Sequence, residues 1–240
     1  MQATLARRIV AESTGTTILS AAVVGSGIMA ERLAGGNVAV ALLANTVATG
    51  AALVALILTF GGISGAQFNP AVTVCDCLQG GLSKRDALCY IAAQIIGAFA
   101  GVAAAHVMFE LPVFFASNKP RTGAAQWFSE FVATFGLLAV IWGTVRLRSA
   151  VVVPFAVAAY IVAAYWFTAS TSFANPAVTL ARSMSDTFAG ISPADVFGFV
   201  VAQFAGAIAA TLLFRWLVPI TPKDAQAVVI PHGERTIEKL

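Results

Sequence analysis

The fold is decided by a pentapeptide that occurs twice, Asn69-Pro70-Ala71-Val72-Thr73 and Asn175-Pro176-Ala177-Val178-Thr179. Asn is a good N-cap residue, and Pro suits the first position of a helix because the N–H that it lacks has no partner there. Each copy therefore predicts a loop that turns into a short helix of about two or three turns. Such a helix is too short to cross a membrane.

The sequence around these two segments is strongly apolar. Of the 240 residues, 59% are hydrophobic and only 10% are charged, with a mean hydropathy of +0.86. Soluble domains carry about 25% charged residues, so a chain of this composition cannot cover itself with a water-facing surface. Its solvent is predicted to be the lipid bilayer. We expect six spanning helices, at about residues 9–31, 38–60, 87–109, 127–145, 151–168 and 195–217.

The two pentapeptides belong to a larger internal repeat. Glu12 in the first span has a counterpart in Glu130 in the fourth, and Gln94 in the third span has one in Gln203 in the sixth. Each half contains three spans, so the second half must be inverted relative to the first. The predicted fold class is an all-α membrane protein with six transmembrane helices and two re-entrant half-helices. We expect a single channel domain over residues 1–240, with inverted repeats at about 5–110 and 125–218 and a cytoplasmic tail at 219–240.

The distribution of basic residues predicts the orientation. With the N-terminus in the cytoplasm, ten lysines and arginines fall on the inner side and four on the outer side, which is the bias expected when both termini are cytoplasmic. The net charge of +3 therefore indicates membrane orientation, and no nucleic-acid partner is expected. We predict a multi-pass protein of the cell (inner) membrane. The four outer residues are Arg32, Lys119, Arg121 and Arg182.

Inverted symmetry directs the starts of both half-helices at one another in the middle of the membrane. The unpaired N–H groups at a helix start, together with its dipole, amount to about +0.5 of a charge, so two such ends repel cations. The side-chain amides of Asn69 and Asn175 can donate hydrogen bonds to the same passing molecule. A water held by its oxygen in this way cannot accept another proton, which interrupts a proton-conducting water wire.

The sequence resembles the major intrinsic protein family, the aquaporins and aquaglyceroporins, over nearly residues 5–218. The resemblance lies in the two Asn-Pro-Ala motifs, in Glu12 and Glu130, and in the segment Ile63-Ser64-Gly65-Ala66-Gln67-Phe68 before the first motif. It implies the aquaporin fold and a homotetramer in which every subunit has its own pore. It also implies that Glu12 and Glu130 accept hydrogen bonds from the re-entrant loops.

The same resemblance implies a second constriction, outward of the Asn residues, formed by four positions. Counting from the motifs assigns them to Thr49, Ala163, Ser172 and Val178. Most relatives have Arg where Val178 stands, and strict water channels also have His in span five and an aromatic residue in span two. Small residues at these places predict a wider and less polar constriction. The four residues resemble those of bacterial relatives associated with arsenic handling.

The predicted function is a passive channel for water and small neutral solutes that excludes ions and protons. The expected solutes are glycerol-like polyols and uncharged metalloid acids such as arsenite in its undissociated form. One alternative is a water-selective aquaporin, and an alternative of another class is a secondary transporter, since inverted repeats serve those as well. An adhesive or scaffold role would have only the short tail for partners. No enzyme activity, cofactor or metal site is expected, because neither histidine lies near a plausible catalytic partner.

Two further features remain open at this level. Arg182 follows Val178 by four residues, so it shares the same helix face. It either provides a positive field in the outer vestibule, caps loop carbonyls or meets lipid headgroups. Cys75 and Cys77 lie on the first half-helix. They are either buried or, because trivalent arsenic binds thiols, in contact with such a solute.

Overall fold

The structure is a computed structural model that describes residues 3–219, and eight α-helices make up most of that range. Short 3-10 turns at Ala150–Val152 and Pro193–Asp195 lead into the sixth and eighth helices. Of the predicted tail, residues 220–240 lie outside the described range. The helices are α1 (Leu5–Leu33), α2 (Val38–Ser64), α3 (Pro70–Leu78), α4 (Lys84–Met108), α5 (Ala124–Leu147), α6 (Val153–Phe167), α7 (Pro176–Arg182) and α8 (Val196–Leu217).

Six of these helices are long and apolar enough to cross a membrane. They are α1, α2, α4 and α5, together with α6 and α8 when their leading 3-10 turns are included. The six spans predicted from the sequence are therefore confirmed, and so is the all-α membrane fold. Many large apolar side chains remain exposed on the outer faces of the spans, such as Ile96 at 67% and Phe197 at 78%. Contact with lipid chains removes the cost that water would impose on such a surface.

The helix ends follow from local sequence. Thr4, Asn37 and Ser83 each accept a hydrogen bond from a backbone N–H of the first turn that follows, as good N-cap side chains do. Gly65 ends α2 with a φ of +89°, a conformation that costs glycine little because it has no Cβ. The chain then leaves the helix direction and runs into the segment before Asn69.

The two halves of the chain are built in the same way. In the first half α1 packs along α4 and against α2, and in the second half α5 packs along α8 and against α6. Contacts between α2 and α6 join the halves, and each half-helix, α3 and α7, packs against both α4 and α8. The half-helices have nine and seven residues, which makes them about 13 and 10 Å long. They are therefore much shorter than a hydrocarbon layer of about 30 Å.

Glycine permits a close helix contact in each half. A Cβ at Gly97 would overlap the backbone carbonyl of Ser13 on α1, and a Cβ at Gly206 would overlap that of Phe131 on α5. Close backbone approach at small residues is the usual way in which membrane helices gain packing contacts. The α1–α4 and α5–α8 pairs therefore form the rigid frame that holds the loops between them.

Gly97→Ala tests this contact. We expect the substitution to lower the free energy of unfolding by about 1–3 kcal/mol, because the obstructing atom is backbone and cannot move aside. Gly62→Ala on α2 is the control, since a Cβ there meets nothing within 4 Å. Unfolding in mixed detergent micelles measures both variants, and equal stability of the two would contradict the packing argument.

Candidate functional site

The two Asn-Pro-Ala motifs meet tip to tip. The side-chain amide nitrogen of Asn69 donates to the carbonyl of Ala174 at 2.7 Å, and that of Asn175 donates to the carbonyl of Phe68 at 2.8 Å. Each Asn Oδ1 caps its own half-helix by accepting from the N–H of Ala71 or Ala177. These bonds fix the amide orientation and use one hydrogen of each NH₂ group, so the second hydrogen of each remains available.

The loops before the motifs have an unusual backbone that both copies share. Gly65, Ala66 and Phe68 have positive φ, and so do their equivalents counted from the second Asn, Thr171, Ser172 and Ala174. Five of these six residues carry a Cβ and occupy a strained region that costs of order 1–3 kcal/mol each. Compensating interactions must therefore hold both loops in place.

Glu12 provides that compensation in the first half. Its buried carboxylate accepts from the N–H groups of Gln67 at 3.0 Å and Phe68 at 2.7 Å, and from the Ser64 hydroxyl at 2.6 Å. The Gln94 amide also donates to it at 2.8 Å and reaches Thr73 of the motif at 2.9 Å. A buried carboxylate is tolerated in a membrane span when donors surround it in this way.

Glu130 repeats the arrangement in the second half. Its carboxylate accepts from the N–H groups of Phe173 at 2.8 Å and Ala174 at 2.9 Å, and from the Gln203 amide at 2.6 Å. Gln203 in turn reaches Thr179 at 2.8 Å, as Gln94 reaches Thr73 in the first half. The symmetry predicted from the sequence thus extends to individual hydrogen bonds.

A cavity of about 90 Å³ runs beside the two Asn residues. A buried water needs about 10–15 Å³ on the same measure, so the cavity has room for a file of several waters. The strained loops and the Asn side chains contribute to its lining, and most of the lining side chains of the spans are apolar, including Leu53, Ile57, Ile141 and Val157. The lining of the cavity therefore combines polar groups of the loops with mostly apolar groups of the spans.

Three of the four residues assigned to the outer constriction line this cavity, namely Thr49, Ser172 and Val178. The assignment of Ala163 is wrong, because Ala163 is exposed on the outer face of α6 and is absent from the lining. In α6 the lining residues include Ile161 and Tyr165, each two positions from Ala163, and two positions turn a helix by about 200°.

Tyr165 is the residue that sequence reasoning missed. Its hydroxyl donates to the Thr49 hydroxyl at 3.3 Å, which links α6 to α2 at the wall of the cavity. The expectation of a small side chain from α6 is thereby corrected, since the α6 residue beside Thr49 that lines the cavity carries a phenol ring. Counting back from the second motif could not give this position, because the register depends on how the chain leaves α6.

Hydrogen bonds join the outer loops to each other at the end of α7. Ser117 donates its backbone N–H to the carbonyl of Ser183 at 2.9 Å, and the carboxylate of Asp186 accepts from the backbone and side chain of Asn118 at 2.9 and 3.0 Å. These donors stabilise the charged form of Asp186, so its pKa lies below the usual value. The loop from α4 to α5 therefore helps to position the outer end of the cavity.

The remaining candidates differ in their access to the lumen. Arg182 lines the cavity and also donates from Nε to the carbonyl of Ala189, so the vestibule role and the capping role both have a structural basis. Cys75 is fully buried and Cys77 is partly exposed. Both lie in the described range but outside the lining of this cavity, which leaves solute contact by these thiols without support there.

A cavity beside two facing half-helices, inside a bundle of spanning helices, is typical of a membrane channel. Comparisons with known proteins identify the family of channels to which it belongs. The family model of the major intrinsic proteins matches residues 1–152. The chain is 56% identical over 214 residues to aquaglyceroporin AqpS of Rhizobium meliloti (strain 1021). The matched region covers 89% of this chain and 91% of that protein. It is 28% identical to aquaporin Z of Bradyrhizobium diazoefficiens, covering 88% and 93% of the two chains.

A solved structure supports the fold. The X-ray structure of the aquaglyceroporin from Plasmodium falciparum superposes with a TM-score of 0.64 at 19% identity, over 92% of this chain and 99% of that one. The chain belongs to the major intrinsic protein family. It is a multi-pass membrane channel for water and small neutral solutes such as glycerol, and it is not an enzyme.

Glu130→Gln tests the support of the second loop. The amide has one acceptor oxygen and turns a donor toward the N–H groups of Phe173 and Ala174, and each lost bond to a charged group costs about 1.5–3 kcal/mol. We expect lower thermal stability and reduced water permeability in proteoliposomes. Glu31→Gln, at an exposed pair with Lys119 of 3.8 Å, removes the same charge and should leave both unchanged. Similar losses in both variants would count against the loop-holding role.

A second test separates the two assignments in α6. Tyr165→Ala should raise the flux of glycerol relative to water by about threefold or more, because it empties part of the constriction. Ala163→Leu adds bulk on the outer face and should leave both fluxes as they are. Stopped-flow light scattering measures both solutes, and a glycerol flux that depends on Ala163 instead of Tyr165 would restore the assignment made from the sequence.

Proposed function

We propose that the cavity is the conducting pore and that Asn69 and Asn175 form its central binding point. The observation that carries this proposal is the pair of reciprocal bonds from each Asn amide to a carbonyl of the opposite half. They hold both amides beside the lumen, where each amide keeps one N–H that can donate to a passing molecule. Pro70, Ala71, Pro176 and Ala177 begin the half-helices that carry them.

Proton exclusion follows from the direction of these donors. A water that accepts hydrogen bonds from both amides presents its own hydrogens along the pore in both directions. It then cannot accept a proton from either neighbour, and the water wire is broken at this point. The two half-helix starts add a positive field that opposes cations.

The outer constriction of this proposal consists of Thr49, Tyr165, Ser172 and Val178. Val178 brings neither charge nor donor, whereas the hydroxyls of Thr49 and Tyr165 bond to each other. A solute with both hydroxyl groups and an apolar surface can therefore turn its hydroxyls to the loop wall and its apolar side to the spans. Polyols fit this description, and so do uncharged metalloid hydroxides such as arsenous acid, which we propose as a permeant.

We further propose that the protein lies in the cell (inner) membrane with both termini in the cytoplasm. The excess of basic residues on one side supports this orientation, and one of them, Arg8, pairs with Asp86 at 2.6 Å between the starts of α1 and α4. Arg146 at the end of α5 likewise bonds to the carbonyl of Phe214 near the end of α8. Labelling of single cysteines at each terminus with an impermeant reagent tests this orientation in whole cells.

The assembly that we propose is a homotetramer with one pore per subunit. Residues of one chain line the cavity from both half-helices, which supports one pore per subunit. Native mass spectrometry of the purified protein measures the number of subunits, and a monomer that conducts in liposomes would refute the tetramer without touching the pore.

Val178→Arg tests the constriction. We expect fluxes of glycerol and arsenous acid to fall about tenfold or more and water flux to fall much less, because a bulky fixed donor narrows the lumen and selects small polar molecules. Val178→Met is the matched control, since it adds length without charge or donors. Proteoliposome fluxes of the three solutes measure the effect.

The results separate the competing functions. A wild-type channel that passes water but neither of the larger solutes would be water-selective. Saturable uptake that depends on an ion gradient would indicate a secondary transporter instead. Equal slowing of water and the larger solutes by Val178→Arg would place Val178 outside the constriction.

A further inference from the structure

Arg182 is a buried cation at the outer end of the pore. It ends α7, about 6 Å beyond Val178 on the same face, and its side chain is only 3% exposed. Its guanidinium centre lies 3.3 Å from the centre of the Phe173 ring, and its Nε donates to the carbonyl of Ala189. Both contacts fix the side chain at the wall of the cavity, of which Arg182 is a lining residue.

Within residues 3–219, this charge is not neutralised. The ion pairs there do not include Arg182, and its two Nη atoms have no protein acceptor. Among the residues that line the cavity, Arg182 carries the only formal charge. Arg121 differs from Arg182. Its guanidinium lies 4.8 Å from the centre of the same ring, but it donates to the carbonyls of Gly190 and Ser170, and Arg121 does not line the cavity.

The fold does not require a cation at this position. Asp76 is the equivalent residue of the first half, since it follows Asn69 by seven positions as Arg182 follows Asn175. The carboxylate of Asp76 accepts from the Gln67 amide at 2.8 Å, and Asp76 is not a lining residue. Equivalent half-helices therefore form with an acidic residue that does not line the cavity, as in α3, or with a cation that does, as in α7.

We propose that Arg182 separates cations from neutral solutes of the same size. An unpaired positive charge in a narrow, largely apolar cavity acts at short range with little screening, so it opposes every approaching cation. A neutral solute feels no such net repulsion, and its oxygens can accept hydrogen bonds from the Nη groups. This inference rests on the proposal that the cavity is the conducting pore.

Urea and guanidinium are a suitable pair of probes, because both are small planar molecules of similar size and only guanidinium is charged. We expect wild-type liposomes to pass urea and to exclude guanidinium. In Arg182→Gln, which retains a donor for the carbonyl of Ala189, the ratio of guanidinium flux to urea flux should rise about tenfold or more. Arg182→Met should show the same selectivity change without that donor.

Two further variants separate charge from structure. Arg182→Lys keeps the charge and should still exclude guanidinium. Val178→Arg combined with Arg182→Gln returns a charge to the lumen one turn deeper and should restore exclusion. Lys119→Met is the matched control, since it removes a positive charge from the exposed outer loop, where its side chain is 38% exposed, and should leave guanidinium excluded.

Water permeability shows in each preparation whether an open channel is present. A wild type without water flux would refute the pore itself. Water flux retained in Arg182→Gln and Arg182→Met with guanidinium still excluded would overturn the role of Arg182. Guanidinium flux through Arg182→Lys equal to that through Arg182→Gln would overturn it as well, because charge would then not matter.

Discussion

Two buried carboxylates hold the loops on which the pore depends. Glu12 and Glu130 each accept the backbone N–H groups of two consecutive residues immediately before a motif, and a Gln of a neighbouring span completes each set. Hydrogen bonds to a charged acceptor contribute about 1.5–3 kcal/mol each, which is the scale of the backbone strain they must offset. Because the strained backbone cannot persist alone, the lining of the lumen is a consequence of these bonds.

The loops in turn determine what the half-helices can do. The carboxylates hold the N–H groups of Phe68 and Ala174, and the carbonyls of the same two residues accept from the Asn of the opposite half. The motifs are thereby joined to one another and not only to their own halves. A single set of bonds thus accounts for the meeting of the helix tips, the orientation of the amides and the polar wall of the cavity.

The two halves share a backbone but differ in charge. Asp76 and Arg182 occupy equivalent places, yet only Arg182 reaches the cavity. Phe173 and Gln67 also occupy equivalent places. The ring of Phe173 contacts Arg182, and the amide of Gln67 donates to Asp76. The repeat therefore supplies a symmetric scaffold, and the side chains that depart from symmetry give the outer half a field that the inner half lacks.

The sequence by itself determined the spans, the inverted repeat, the motif residues and the carboxylates, because apolar length and helix-start signals are local and the repeat is visible in the order of residues. The tertiary structure decided which side chains face the lumen. Ala163 and Tyr165 are two residues apart, and the phase of α6 against α2 alone places the ring inside and the methyl group outside. For Arg182, the contacts with Phe173 and Ala189 settled a direction that the helix spacing left open, since a long side chain takes its orientation from its neighbours.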